Sequence, residues 1–111
     1  MHKVYGEHII KMRFEVAIKY ILPEDVSSPK QRWALIKVLH DGGEEDYSIA
    51  LGRWDGKPVI GMRWNGTEAS PIGNPQSRGL PTWFIVPSNY QDSILEQLSK
   101  DMVSFVKKFF E

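Results

Sequence analysis

Cysteine is absent from the 111 residues, which removes disulfide frameworks, thiolate zinc sites, iron–sulfur clusters and cysteine nucleophiles from consideration. Net charge is absent too. Fourteen Lys and Arg stand against fourteen Asp and Glu, so the long-range positive field of many non-specific nucleic-acid binders is missing, and such binding has to come from a local patch. No apolar run is long enough to span a bilayer, and the opening residues Met1 to His8 are too polar for a signal peptide. A cytoplasmic protein with no membrane partner is therefore expected. Histidine is scarce: His2, His8 and His40 are the three. Neither H-x-x-x-H nor H-E-x-x-H occurs, and the acidic run Glu44, Glu45, Asp46 reads as a solvated turn rather than a cation site. The chain also lacks a glycine-rich phosphate loop and a nucleophile elbow. The expectation is a non-catalytic protein without metal or cofactor.

What is present suits one domain spanning residues 1–111, with 1–29 open to being an N-terminal extension. With 41% hydrophobic and 25% charged residues, a chain of this length builds a core without covalent staples. Met12, Phe14, Val16, Ile18, Tyr20 and Leu22 alternate with Lys11, Arg13, Glu15 and Lys19. A helix would place Arg13 within the apolar stripe, so a strand is expected over 12–22. Residues 32–40 leave two readings open. Ser28-Pro29 and Gly42 resemble helix start and stop signals, whereas the run Trp33 to Leu39 is rich in β-formers; we read a strand entering a hairpin. Tyr47 to Trp54, the turn Asp55-Gly56, and Val59 to Trp64 read as a β-hairpin, and Asn65-Gly66 repeats the turn chemistry. Residues 66–81 read as a long Gly/Pro loop, followed by a short strand over Trp83 to Val86. After Pro87-Ser88-Asn89, the spacing of Tyr90, Ile94, Leu98, Met102, Phe105 and Phe109 predicts one amphipathic helix. The fold class is thus α+β: a curved antiparallel meander of four to five strands packed on a C-terminal helix.

The stretch from Gly52 to Trp83 holds three of the four tryptophans, interleaved with Arg53, Lys57, Arg63 and Arg78 against Asp55 and Glu68. Single-stranded nucleic acid is held by such a mixture, because aromatic faces stack on bases while Arg and Lys follow phosphates. Arg53, Lys57, Arg63 and Arg78 are the candidates for phosphate, and Trp54 and Trp64 for stacking. The competing reading has the tryptophans filling a core and the arginines pairing with acids. Asn74, Gln76 and Ser77 either contact a ligand or satisfy their own loop backbone. A second functional reading makes the loop 66–81 the contact surface of a protein-interaction or small-ligand accessory protein.

Residues 47–98 resemble the positive cofactor four family of single-strand-binding transcriptional coactivators. The resemblance lies in Trp54-Asp55-Gly56-Lys57, Val59 to Trp64 with its Arg63, the loop Asn74-Pro75-Gln76-Ser77-Arg78-Gly79, and Val86-Pro87-Ser88. It implies a curved antiparallel sheet backed by a helix, dimerisation through the helices, and single-strand binding across the sheet. Arg78 stands nearly alone where that family is richer in Lys, and residues 1–30 have no counterpart in it. The strings Gly-Arg-Trp-Asp-Gly-Lys-Pro, Arg-Trp-Asn-Gly and Asn-Pro-Gln-Ser-Arg-Gly-Leu-Pro-Thr-Trp are also similar to uncharacterised bacterial proteins of mobile gene cassettes.

The helix carries more apolar surface than one small sheet needs. Leu98, Met102, Phe105 and Phe109, with Phe110 beside them, are expected to meet a second copy in a two-fold contact. The alternative is that residues 12–22 fold back over the same surface.

Overall fold

The computed structural model describes Met12–Arg13 and residues 16–111. Two-residue turns and β-rich runs build most of it, in the order β1 (Met12–Arg13), β2 (Val16–Ala17), β3 (Trp33–Asp41), β4 (Tyr47–Trp54), β5 (Lys57–Trp64), β6 (Gln76–Ser77), β7 (Leu80–Pro81), β8 (Phe84–Ile85), α1 (Gln91–Leu95) and α2 (Lys100–Phe110). The architecture is α+β. Strands β3, β4, β5 and β8 form one antiparallel sheet in that order, and β6 and β7 form a small second hairpin. Asp55 and Gly56 adopt φ of 53° and 85°, the left-handed pair that lets a two-residue loop follow strand twist. Register therefore runs unbroken from Trp54 opposite Lys57 to Tyr47 opposite Trp64. The β3–β4 pairing contains two register shifts, between Leu35 and Lys37 and between Val38 and His40.

Alternation along these strands divides the core in two. On one face Leu39, Ile49, Leu51 and Ile60 pack with Val86, Leu95 and Val106; fully burying such a side chain contributes about 2 kcal/mol. On the other face Ala50 lies beneath Trp33, Trp83 and Val26. The two indoles stack with centroids 5.6 Å apart and planes 25° apart. Trp83 Nε1 donates to the Val26 carbonyl at 3.1 Å, so residues 21–26 form a strap over this second face.

Three expectations need correction. Residues 12–22 do not form one strand: β1 pairs with β2, Met12 opposite Ala17, and Ile18 to Leu22 lie outside any strand. Alternation becomes a strand only beside a partner edge, and what meets Ile21 is a loop carbonyl, that of Pro71, which accepts its N–H at 3.0 Å. Asn65-Gly66 is not a hairpin turn. Asn65 is buried, accepts from Ser48 Oγ at 3.0 Å and donates to the Gly43 carbonyl at 2.8 Å. Gly66 is there for close approach, because a Cβ would enter the Ser70 and Pro71 carbonyls.

The C-terminal helix, third, is broken between Leu95 and Lys100. Ser99 is extended (φ −65°, ψ 157°) and its hydroxyl accepts the Met102 N–H, so it opens a new helix as an N-cap. Replacing Ser99 by Ala is expected to lower stability by about 1 kcal/mol, read as an earlier urea midpoint; an unchanged midpoint would show that the cap contributes nothing.

Candidate ligand cleft

The long loop is fastened to β5 by one side chain. Arg63 is 3% exposed, and its guanidinium donates to the carbonyls of Ile72, Pro75 and Thr82. Burial pushes this group down to about 10, so it stays protonated at neutral pH. No described carboxylate bonds to it, and its Nε has no partner among the described residues. Backbone bonds in both directions between Trp64 and Asn74 hold the same loop from the other side, at 2.7 and 3.0 Å.

Clamping the loop leaves a concavity of about 600 Å³ at the end of the sheet, lined by Tyr47, Met62, Arg63, Trp64, Asn74, Pro75 and Phe84. Register explains why these residues meet. Tyr47 opposes Trp64 and Met62 opposes Phe84, so all four side chains leave the sheet on the helix-bearing face, whereas Arg63 turns to the other. Tyr47 and Trp64 stand nearly perpendicular (83°) with centroids 6.3 Å apart, and His40 packs behind Tyr47 at 4.7 Å. Trp64 is 57% exposed and Phe84 56%. Large rings left this open on neighbouring strands form an exposed apolar surface.

The residues singled out for nucleic acid fall into separate groups rather than one patch. Arg53, Trp54 and Lys57 sit at the Asp55-Gly56 turn, and Trp64 lies at the opposite end of β5, about 24 Å away along the strand. Trp54 and Trp64 also face opposite sides of the sheet. Trp54 is half-buried beneath Arg32, whose guanidinium lies 5.0 Å from its ring. Arg32 also forks onto Asp55 at 2.7 and 3.0 Å, and that hydrogen bonding holds the Asp55 carboxyl below its ordinary range. Arg53 lies over Phe109. As a buried clamp, Arg63 has no surface to offer a phosphate. Arg78 (φ 54°) shares the tip of the β6–β7 hairpin with Gly79, exposed and apart from the others. Of the loop residues, Asn74 lines the cleft, Gln76 donates to the Gly73 carbonyl at 3.0 Å, and Ser77 is exposed on β6.

The helix residues expected at a two-fold contact turn inward. Leu98, Met102, Phe105 and Phe109 pack against the chain's own core, and Lys37 covers Phe105 as Arg53 covers Phe109. The surplus apolar arc on which that contact rested is thus largely taken up by the sheet, leaving Phe110 exposed. Of residues 12–22, the alternative cover, Ile21 packs on the opposite face of the sheet.

Among the described residues, no three His, Asp or Glu side chains form a set that could hold a metal ion, and no helix is long and apolar enough to cross a membrane. No family model, curated protein or solved structure matches this chain. The resemblance to the positive cofactor four family and to gene-cassette proteins rests on the quoted residues alone.

Sequence reading missed Tyr47, Met62, Pro75 and Phe84. A signal existed for the first two: counting outward from a two-residue turn at Asp55-Gly56 pairs Tyr47 with Trp64 and places Met62 on the same face. Pro75 and Phe84 enter through the loop clamp, which no local pattern announces.

Proposed function

We propose that this protein is a non-catalytic binding module that takes the apolar part of a small ligand into the cleft between Trp64, Tyr47 and Phe84. The observation that supports the reading is the pair of open rings, Trp64 and Phe84, on the walls of a concavity of about 600 Å³, a size that suits a small organic molecule. A neutral aromatic probe such as 1-naphthol is expected to bind with quenching or shift of Trp64 emission. Phe84→Ala and Trp64→Ala should each weaken it about tenfold, while Lys57→Ala leaves it unchanged. Equal binding by wild type and Phe84→Ala would overturn the assignment.

A second reading, single-strand nucleic-acid binding, draws on the same two rings, since bases stack on exposed aromatics. It predicts that oligo-dT competes with the probe and that this competition fades with salt. The separation of Arg53 and Lys57 from Trp64 favours the small-ligand reading.

A further inference from the structure

Three of the segments that build the cleft carry acids and no bases. Between His40 and Gly52, between Trp64 and Ser77, and between Phe84 and Ser99 there is not one Lys or Arg. These segments supply the cleft's Tyr47, Trp64, Asn74, Pro75 and Phe84, and they also carry Asp41, Glu44, Glu45, Asp46, Asp92 and Glu96, with Glu68 paired to Lys19 at 3.5 Å.

The acidic turn is fixed against the cleft rather than merely near it in sequence. Asn65 N–H donates to the Asp46 carbonyl at 2.8 Å, Glu45 N–H donates to the Gly66 carbonyl at 3.1 Å, and Asn65 Nδ2 reaches Asp41 Oδ1 at 3.2 Å. Glu45 lines a smaller depression that shares Trp64 and Asn74 with the cleft. Glu44 and Glu45 are exposed. The one base that borders the cleft, Arg63, is engaged by loop carbonyls on the other side of the sheet.

An aromatic-walled cleft beside exposed carboxylates discriminates by sign. The faces of Trp and Tyr carry negative quadrupole potential and attract a cation that has lost part of its water, and the carboxylates add a field of the same preference, strongest at low salt. A primary ammonium holds its hydration too firmly to enter an apolar cleft readily, whereas an N-alkylated one presents methyl groups to the rings and keeps its charge. We propose, building on the small-ligand reading above, that the cleft receives the trimethylammonium-type head of an organic cation, with Trp64 and Tyr47 as perpendicular walls, Phe84 across from them, and the Glu44–Asp46 turn supplying the counter-field. The volume leaves room for the rest of the molecule beside the head.

The test compares choline with its neutral carbon isostere, 3,3-dimethylbutan-1-ol, by Trp fluorescence and by NMR line-broadening of the ligand methyl signal. Choline is expected to bind about tenfold more tightly than the isostere, and the gap should narrow in the double variant Glu44→Gln, Glu45→Gln and at high salt. Trp64→Leu keeps an apolar wall without the ring quadrupole, so it should abolish the preference for choline while retaining isostere binding. A peptide bearing trimethyl-lysine serves as a parallel arm: tighter binding than choline would place the same head on a protein, weaker binding on a free molecule. Equal affinities of choline and isostere overturn the cation inference and leave the small-ligand reading standing. If 1-naphthol, choline and the isostere all fail to bind, both readings fall together.

Discussion

Replacing Gly52 with Ala is expected to lower stability by about 3 kcal/mol, at the upper end of what overpacking a core costs. The added Cβ would point at the ring of Trp33, 2.7 Å from Cζ2 and closer still to Cη2. That ring has nowhere to go. Trp33 is 4% exposed, stacked on Trp83, and leans toward Gly61 as well. Urea denaturation followed by tryptophan emission measures the effect, and loss of the near-ultraviolet circular dichroism of the stacked pair would localise it. Trimming the ring with Trp33→Leu should make the Gly52→Ala change far less costly, so the two substitutions couple by more than 1 kcal/mol in a double-mutant cycle. Additive effects would place the strain elsewhere.

Arg63→Met is expected to cost about 3 kcal/mol as well, for a different reason. Removing the guanidinium relieves the desolvation of a buried charge, which favours the variant. It also strips the carbonyls of Ile72 and Thr82 of their donor, whereas that of Pro75 keeps the Thr82 N–H at 3.0 Å, and each buried acceptor left unmade costs about 1–3 kcal/mol. Two such losses outweigh the relief. Lys is a poor substitute, since one ammonium on a flexible stem cannot reproduce a planar fork reaching three separate oxygens. Hydrogen exchange separates this variant from a general loss of stability: the Trp64 and Asn74 amides, whose mutual bonds close the loop, should lose protection before those of the β4–β5 hairpin. Because the clamp sets one wall of the cleft, 1-naphthol affinity should fall with it. A variant that keeps its midpoint and its Asn74 protection would show that the loop is held without Arg63.

The legible parts of this fold were those decided by neighbours in sequence. Asp55-Gly56 announced its turn because few other dipeptides tolerate two successive left-handed residues, and from that turn the pairing of β4 with β5 follows residue by residue. Trp33 to Asp41 was readable as a strand because β-branched and aromatic residues outweighed weak helix-end signals. The helix break was not readable from period alone: Ile94, Leu98 and Met102 keep a three-to-four spacing straight across Ser99, and only the serine's capping chemistry marks the restart. The site was least legible. Arg63 reads as a phosphate ligand because sequence shows its charge and hides its burial, whereas strand parity already separates Trp54 from Trp64, and the structure puts them on opposite faces. Phe84 reaches the cleft only because a nineteen-residue excursion between β5 and β8 returns beside Met62.

The strap has a kinetic meaning. Strands β3, β4 and β5 are each joined to the next by a short turn, so their pairing needs little chain closure and can begin early. The contact between Val26 and Trp83 joins residues 57 apart in the chain, and the closure entropy it must overcome is repaid only when the indole stack and Ala50 are already in place. The meander is thus the template on which folding proceeds, and the strap is a late fastening. In the native ensemble the expected order is the reverse: the strap lifts while the meander persists, so amide exchange at Val26 should precede exchange in β4 and β5.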